Sequence, residues 1–424
     1  MRIKLVSLYS KLCFCYVIAI LNFYSFGIRF AGSAFVGPAI RISDIFVVGL
    51  VVVGTLLYFK RKKTNSYFKL LLLLIGSFLL LEMVLPVVGL FVYSYGHIFN
   101  GPRIAFLYLP LLFVALLFTN KEILELNLLL ETALKVTIGL NLFFGILQLL
   151  AVYDVVPPQL LLQYHLQHFA VDEHFRVFDG TRVSALTSNA TELSTIGVIG
   201  LSHFLAKLFK KITYSDIAFF ICSASIILLT ASRVAIMLLP VIIIFSLILA
   251  PIMRERKKLL LSLFAYSFAG IFFILFLTDE FDRMFARILR LTEGIAYDYS
   301  LTIRSELWSN AIEQSAQFPF GTLSPPSLSL GIIDSGYLTY YLQGSWLFVF
   351  ALVLFLGGAL LFLLPVIIKR KGDFYNNIFL LNIIIYVLVS MVISNSMRSA
   401  GIIFYMLLGL INLLCVVKVK FRWV

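Results

Sequence analysis

Four arginines next to long apolar segments are the residues best suited to bind an anionic substrate: Arg176, Arg182, Arg233 and Arg304. Arginine presents a planar fork that binds phosphate oxygens in pairs, and it keeps its charge when partly desolvated. Arg233 lies in a short turn between two apolar segments, where it could reach a phosphate at headgroup level. The alternatives are a snorkelling anchor for Arg233 and ordinary solvated loop charge for the others.

Several carboxylates stand where apolar segments begin. Glu192 and Asp334 can each be interpreted as a residue of a capped first helical turn. Asp44, beside Arg41, is expected to cap its segment, and the alternative is that it orients that arginine. Glu82 lies inside an apolar segment, where an ionisable group faces an interior partner or a water-filled cavity, or is protonated. The sequence leaves these alternatives for Glu82 open.

The five histidines suggest little chemistry. His165, His168 and His174 are spaced like a weak metal motif, but we interpret them as solvated loop residues and predict no metal site. His97 and His203 are expected to stand alone near the ends of apolar segments.

The composition of the chain indicates which type of secondary structure positions these residues. The chain has 424 residues, of which 61% are hydrophobic and 13% charged, whereas soluble domains are about a quarter charged. Runs of about 20 apolar residues are long enough to cross a bilayer as helices, and they recur along the chain. We therefore predict an all-α, polytopic membrane bundle, formed as a single domain over residues 1–424. The predicted spans are 8–26, 43–59, 68–94, 103–119, 129–151, 191–209, 214–230, 234–250, 259–278, 337–368, 374–394 and 399–417, about twelve in all.

The net charge of +13 is interpreted as loop charge that sets orientation, so nucleic acid is not an expected partner. Placing the basic clusters inside puts both termini and every lysine in the cytoplasm, which leaves only arginine on the outer side. That asymmetry suggests anion recognition, although the exclusion of lysine by the positive-inside rule could produce part of it. The four cysteines lie in apolar runs and predict neither disulfides nor a zinc site.

Two outer loops are long, at about residues 152–190 and 279–336, whereas the other outer connections are short. A long loop in a compact protein usually has a function. Both loops carry arginines, acidic residues and aromatics. We therefore predict an outward-facing site built from these two loops.

With the loops placed, the chain resembles the bacterial O-antigen polymerase family, which is related to the O-antigen ligases. The shared layout is about a dozen spans with enlarged third and fifth periplasmic loops. The local segments that carry the resemblance are RISD at 41–44, RVSALTSNATEL at 182–193, LTASR at 229–233, RSELW at 304–308, PFG at 319–321 and DSGYLTYYLQG at 334–344.

The resemblance implies a glycosyltransferase of the bacterial inner membrane. Its expected substrates are oligosaccharide repeat units on undecaprenyl diphosphate, joined on the periplasmic side, and its expected partners are the bilayer and a separate chain-length regulator. No cofactor is expected, because the departing lipid diphosphate drives the transfer.

The resemblance also suggests roles for individual residues. Arg176, Arg182, Arg233 and Arg304 are expected to bind the diphosphate, and Arg304, Glu192 and Asp334 to take part in catalysis. Related ligases carry a His-Asn pair where this chain has Asp334 and Ser335, which favours a polymerase. An O-antigen ligase or capsule-type polymerase remains an alternative. A lipid-linked oligosaccharide flippase is another, although flippases usually have short loops on both sides.

Overall fold

The computed structural model describes the parts of the chain that contain most of its apolar segments. The described residues are 2–23, 27–28, 40–60, 83–88, 91, 100–152, 155, 183–187, 189–230, 232–250, 260–262, 265, 299–316, 318, 320–323, 335–368, 373–392, 394 and 399–416. Apart from one pair of two-residue strands, their regular structure is helical, so the predicted all-α class is confirmed.

The longer helices and the two strands are numbered in chain order. They are α1 (Arg2–Asn22), β1 (Gly27–Ile28), β2 (Ile40–Arg41), α2 (Ile42–Phe59), α3 (Asn100–Leu117), α4 (Asn120–Val152), α5 (Ala190–Lys210), α6 (Tyr214–Leu229), α7 (Arg233–Leu249), α8 (Tyr299–Ser315), α9 (Gly336–Ile368), α10 (Phe374–Ser390) and α11 (Ala400–Val416).

Most predicted spans coincide with one of these helices. The helices α1, α2, α4, α5 and α9 are long and apolar enough to cross a membrane, while α3, α6, α7, α10 and α11 contain shorter apolar helices. The predicted spans 68–94 and 259–278 lie mostly outside the described residues, so the count of twelve stays a prediction. The polar helix α8 lies within the second long loop, where no helix was predicted.

The exposed side chains of the long helices suit a hydrocarbon environment. On α2, Ile45, Val48, Val52 and Leu56 are 60%, 63%, 54% and 46% exposed. Their spacing of three and four residues places them on one face of the helix. A continuous apolar face of this kind is unfavourable in water and favourable in lipid. Together with the long apolar helices, it identifies a multi-pass membrane protein.

The first of two compact units comprises Met1–Lys60 and Thr119–Ile288 and contains α1, α2 and α4 to α7. Its centre is α5: 83% of its apolar stretch is buried, whereas the figure for α4 is 39%. The helix α5 contacts α4, α6 and α7, and α1 contacts α2 and α4. The two strands pair antiparallel, with Gly27 opposite Arg41, and lead into α2, where the Asp44 carboxylate accepts a hydrogen bond from Arg41 N at 2.9 Å. The predicted cap at Asp44 is confirmed.

Two glycines explain the close packing of α5 on its neighbours. A Cβ at Gly197 would lie 2.7 Å from Ile227 Cγ1 and 3.1 Å from the Ser223 carbonyl of α6. A Cβ at Gly200 would lie 2.5 Å from the Ser223 hydroxyl and 2.6 Å from Ile138 Cδ1 of α4. Small residues on a membrane helix let neighbouring backbones approach, and these two allow α5 to contact α4 and α6.

A charged cluster joins α4, α5 and α6. The Glu131 carboxylate lies 2.9 Å from Lys135 Nζ and 2.6 Å from Lys207 Nζ, and Lys207 also lies 3.0 Å from Asp216 Oδ1. The His203 ring is 3.6 Å from the same Glu131 carboxylate. The prediction that His203 stands alone is therefore wrong, because packing between α4 and α5 supplies a carboxylate that the sequence around His203 does not contain.

The second unit comprises Arg61–Phe118 and Leu289–Val424 and contains α3 and α8 to α11. In it, α10 contacts α9 and α11, α11 contacts α3, and α8 contacts α9. Asn376 of α10 donates to the Gly409 carbonyl of α11 at 3.3 Å and accepts from Asn412 at 3.4 Å. The division of the chain into domains stays a prediction.

Candidate functional site

Residues 183–187, which form the segment called the 183–187 turn, follow the first long loop and precede α5. All five are buried. The Thr187 amide and hydroxyl both donate to the Ser184 carbonyl, at 3.0 and 2.6 Å. Between them, Ala185 has φ = 47°, in the left-handed region that costs a residue with a Cβ about 1 to 2 kcal/mol. A buried backbone in this conformation must be held by its surroundings.

Two amide side chains of α4 hold this turn by its backbone. The Gln148 oxygen accepts hydrogen bonds from the amides of Ser184 and Ala185 at 3.0 and 2.8 Å. The Gln148 nitrogen donates to the Ala185 carbonyl at 3.3 Å. The Asn141 oxygen accepts from the Leu186 amide at 3.3 Å. Asn141 and Gln148 are two helical turns apart on one face of α4, so together they bind three consecutive amides.

The polar contacts continue from Asn141 to the end of α1. Asn141 donates to the Asn22 side-chain oxygen at 2.7 Å and to the Thr137 carbonyl at 3.0 Å. Asn22 in turn donates to the Thr137 hydroxyl at 3.1 Å. All three residues are buried. This network therefore fixes the Asn141 amide that binds the turn.

The 183–187 turn contacts Leu229, the last residue of α6. The Val183 amide donates to the Leu229 carbonyl at 3.2 Å. Both residues also approach α4 at Gly145, where an added Cβ would lie 3.2 Å from Val183 Cγ1 and 3.7 Å from Leu229 Cδ1. The structure therefore joins two of the segments that carry the family resemblance, and both contain predicted phosphate-binding arginines.

Glu192 and Arg233 each stand at the start of a helix in this unit. The Glu192 amide donates to the side-chain oxygen of Asn189, the N-cap of α5, at 2.9 Å. The predicted capped turn is therefore confirmed, and the half-exposed Glu192 side chain lies at the positive end of the α5 dipole. Arg233 is the first residue of α7, directly after the buried N-cap Ser232.

In the second unit, α9 is broken in its interior. Gly344 has φ = −142° and ψ = 25°, and Ser345 has φ = 55° and ψ = −158°. The carbonyls of the preceding turn, including those of Leu342 and Gln343, need other donors at such a break. Leu342 and Gln343 are fully buried, so unsatisfied carbonyls there would be costly.

Residues 321–323, which follow α8, supply those donors. The Thr322 amide donates to Leu342 O at 2.7 Å, and the Leu323 amide donates to Gln343 O at 2.8 Å. Gly321 has φ = 81°, and a Cβ there would lie 2.7 Å from both of these carbonyl oxygens. Only glycine permits this close approach. The PFG segment and the end of the DSGYLTYYLQG segment are therefore in direct contact.

The start of α9 contacts the end of α10. The Ser335 hydroxyl accepts a hydrogen bond from the Leu338 amide at 3.3 Å, as a helix cap does. The Gly336 amide donates to the Met391 carbonyl at 2.9 Å. The observed cap is therefore Ser335, and Asp334 lies outside the described residues.

Arg304 lies on α8, and its side chain is partly buried. Ala311 of the same helix packs against Leu342 of α9, next to the helix break. Because Arg304 and Ala311 are seven residues apart, they share a face of α8 about 10 Å apart along its axis. Arg304 is thus on the side of α8 that contacts α9.

Some of the predicted site residues lie in the described part of the chain, and the others lie outside it. Glu192 and Arg233 lie in the first unit, Arg304 lies in the second, and their functional roles stay predictions. The predictions that fall outside the described residues concern Arg176, Arg182, Asp334, Glu82, His97, His165, His168 and His174. Among the described residues, no group of three or more His, Cys, Asp or Glu side chains could hold a metal ion.

Sequence reasoning missed Asn141 and Gln148. Their signal was present: two amide side chains, seven residues apart, interrupt the apolar run 129–151. Polar residues inside an apolar span usually face the protein interior and pair there.

Residues 218–327 match the sequence model of the family described as O-Antigen ligase. The matched range runs from within α6 to just past residues 321–323, so it includes both Arg233 and Arg304. The resemblance to the O-antigen polymerase and ligase family is thereby confirmed, at a level that covers both activities. A comparison with curated proteins finds no match.

Proposed function

We propose that this multi-pass membrane protein is an O-antigen polymerase, which joins oligosaccharide repeat units carried on undecaprenyl diphosphate at the periplasmic face of the inner membrane. The observation that carries the proposal is the family match over residues 218–327, which includes both described arginine segments. The contact between the 183–187 turn and Leu229 supports it, since that contact brings two family segments together.

The proposed reaction transfers the growing glycan from its lipid diphosphate to the next lipid-linked unit. A hydroxyl of the acceptor sugar attacks the anomeric carbon, and the bond from that carbon to the diphosphate oxygen breaks. The diphosphate leaves with the bonding electron pair, and the hydroxyl loses its proton. Negative charge therefore grows on the diphosphate in the transition state, and cations held there lower the barrier.

Arginine side chains are proposed to supply those cations. Arg182 and Arg233 belong to the two segments that are in contact in the first unit, and Arg176 lies a few residues earlier in the same loop. Arg304 is proposed to bind the diphosphate from α8 and to take part in catalysis. The planar guanidinium fork can bind two phosphate oxygens at once, which a lysine ammonium cannot do.

A carboxylate is proposed to accept the proton of the attacking hydroxyl. The candidates are Glu192, in the first turn of α5, and Asp334, immediately before the capped start of α9. Glu192 has a half-exposed side chain, as a base that meets a substrate requires. In this proposal the hydroxyl proton passes to the carboxylate. The acceptor oxygen keeps its bond to its own sugar and forms the new glycosidic bond, so no water is consumed.

An O-antigen ligase is the second candidate, because the matching family carries that description. The two enzymes share a lipid-linked donor and differ in acceptor: a polymerase uses a second lipid-linked unit, whereas a ligase uses the lipopolysaccharide core. Asp334 and Ser335 stand where related ligases carry a His-Asn pair, and this difference favours the polymerase.

The test is a gel profile of surface lipopolysaccharide after deletion of the gene in the parent strain. A polymerase predicts core carrying one repeat unit in the deletion strain, with the ladder of longer chains restored by the wild-type gene. Bare core with complete chains accumulating on the lipid carrier would instead identify a ligase. Bare core without lipid-linked polymer would contradict both and indicate a flippase.

A further inference from the structure

Thr187 lies where the buried 183–187 turn meets the start of α5. Its side chain is 4% exposed, and its hydroxyl oxygen lies 2.6 Å from Ser184 O and 2.9 Å from Asn189 O. The Ser184 carbonyl belongs to the turn, and Asn189 is the N-cap of α5. A single buried hydroxyl therefore connects the turn to the cap of the helix that follows it.

Asn189 begins α5 with both its backbone and its side chain. Its carbonyl accepts the first hydrogen bond of the helix, from the Leu193 amide at 3.2 Å, and its side-chain oxygen accepts from the Glu192 amide at 2.9 Å. The Thr187 hydroxyl contacts the same carbonyl as the Leu193 amide. The position of the first turn of α5, which carries Glu192, therefore depends on where Asn189 is held.

The other side of the 183–187 turn is bonded to α4. The side-chain oxygens of Asn141 and Gln148 accept hydrogen bonds from three consecutive amides of the turn, and both side chains are buried. A continuous set of hydrogen bonds therefore runs from α4 through the turn and Thr187 to the cap of α5. Every residue in this set, and Glu192 itself, belongs to the described part of the chain.

We infer that Thr187 is a positioning residue for Glu192 in glycosyl transfer, an inference that rests on the proposed function and on Glu192 as its proton acceptor. Helix ends fray, and the Glu192 side chain is half-exposed in the first turn of α5. A general base must stay within hydrogen-bond reach of the hydroxyl that it deprotonates, and a displacement of about 1 Å can cost about 100-fold in rate. The Thr187 hydroxyl limits that displacement by holding Asn189 against the buried turn.

The same turn of α5 provides a matched control. Ser194 is also fully buried, and its hydroxyl donates to Thr191 O at 2.8 Å, within the helix rather than to the cap. Thr187→Val removes the hydroxyl and keeps the side-chain volume, whereas Thr187→Ser keeps the hydroxyl. Ser194→Ala removes a hydroxyl of similar burial and leaves the connection between the turn and the cap intact.

The first experiment measures initial rates of the purified variants in proteoliposomes that contain the lipid-linked repeat unit. We expect Thr187→Val to lower kcat at least about 10-fold and to keep KM within about 2-fold of wild type, because the base is displaced while substrate binding is unchanged. Thr187→Ser and Ser194→Ala should keep kcat within about 3-fold of wild type. Wild-type kcat in Thr187→Val, or an equal loss in Thr187→Ser, would overturn the inference.

A second pair of variants tests the same connection if Thr187→Val does not fold. Asn189 is exposed, so its replacement leaves the buried core intact. Asn189→Ala removes the side-chain acceptor of the Glu192 amide and should lower kcat about as much as Thr187→Val. Asn189→Asp keeps an acceptor and should retain kcat within about 3-fold. Normal kcat in Asn189→Ala would contradict the inference, because the connection acts through this cap.

A double-substitution cycle distinguishes the positioning of Glu192 from a general packing defect. Glu192→Gln alone should lower kcat about 100-fold or more, as the removal of a general base does. In that background Thr187→Val should cause no further loss, because the carboxylate that it positions is already absent. If the two losses multiply, Thr187 does not act through Glu192 and the inference is wrong.

Hydrogen exchange separates this inference from the proposed function. The Glu192 and Leu193 amides, both bonded to Asn189, should exchange several-fold faster in Thr187→Val than in wild type and at the wild-type rate in Ser194→Ala. If exchange differs in this way but the wild type makes no polymer, the proposed function is wrong and the catalytic role of Thr187 falls with it. Unchanged exchange in Thr187→Val, beside an active wild type, would overturn the positioning role alone.

Discussion

The 183–187 turn and the break in α9 are both buried, irregular backbone in a membrane protein, and they are stabilised in different ways. In the turn, the amides of Ser184 and Ala185 are bonded to the Gln148 side chain. At the break, the carbonyls of Leu342 and Gln343 are bonded to backbone amides of residues 321–323. Irregular backbone in a membrane protein requires internal partners of one kind or the other.

The difference predicts how each region responds to substitution. A backbone held by side chains can be loosened by one conservative replacement, and the surrounding helices need not change. A backbone held by another backbone is insensitive to most side-chain replacements and fails only when an amide or a glycine is lost. We therefore expect the turn to shift after single side-chain substitutions, whereas the backbone at the break should keep its conformation after most of them.

The largest expected effect comes from removing a backbone donor at the α9 break. Leu323→Pro deletes the amide that donates to Gln343 O and requires φ near −65°, whereas Leu323 has φ = 59°. We expect a loss of about 3 kcal/mol or more in the free energy of unfolding, seen as the disappearance of the monodisperse peak in size-exclusion chromatography.

The control for this prediction is the neighbouring residue. Thr322→Val keeps the amide and removes the hydroxyl bond to Leu342 O at 3.2 Å, so it should cost about 1 kcal/mol or less. If Thr322→Val destabilises the protein as much as Leu323→Pro, side chains rather than backbone amides hold the break, and the comparison fails.

The next largest effect comes from replacing two arginines: Arg233, in the same unit as the 183–187 turn, and Arg304, on the helix that contacts α9. Arg233→Ala and Arg304→Ala should each reduce polymer by about 100-fold or more on lipopolysaccharide gels, with membrane insertion unchanged, because each removes a cation that is proposed to bind the diphosphate. Lysine at either position should restore little, since it lacks the planar fork.

The matched control is Arg2→Ala. Arg2 makes an exposed ion pair with Glu122 at 3.0 Å, a contact worth about 1 kcal/mol or less. The amount of polymer should stay normal in this variant. Near-normal polymer in both Arg233→Ala and Arg304→Ala would contradict the leaving-group mechanism, and loss in only one would assign the diphosphate to that unit.

The smallest expected effect comes from replacing a residue with positive φ in each region, Ser345 at the α9 break and Ala185 in the 183–187 turn. Ser345, with φ = 55° and ψ = −158°, lies in a region occupied almost only by glycine, so Ser345→Gly should raise the free energy of unfolding by about 1 kcal/mol. Ala185→Gly should be close to neutral, because relief of the milder strain at φ = 47° is offset by the loss of a buried methyl group. Thermal unfolding of the two variants checks the difference, and equal shifts would contradict it.

The sequence predicted the helical fold and many helix ends because a bilayer requires long apolar segments, and hydropathy detects such segments directly. Its predicted span 43–59 corresponds to α2 at Ile42–Phe59, and 337–368 corresponds to α9 at Gly336–Ile368. It missed α8, whose residues are too polar to register as a span. It also missed the α9 break. Gln343, Gly344 and Ser345 interrupt the apolar residues of the predicted span 337–368, but hydropathy gives no sign of backbone dihedrals.

The candidate site was predictable in part. Local patterns gave the capped turn at Glu192. They placed Arg233 in the short turn before the predicted span 234–250, one residue outside the helix that it begins. They could not give the bond between Val183 and Leu229, which joins segments more than 40 residues apart, or the hold of Gln148 on the turn. Ala185 carries no sign of its left-handed conformation, because that conformation is imposed by hydrogen bonds from another helix.

The central claim is polymerase activity, and reconstitution tests it most directly. Purified protein in vesicles should convert the undecaprenyl diphosphate-linked repeat unit, as the sole saccharide, into products of two or more units with release of undecaprenyl diphosphate, measured by mass spectrometry. Arg233→Ala should form almost none. Transfer that occurs only after lipopolysaccharide core is added, or no transfer by the wild type, would contradict the account.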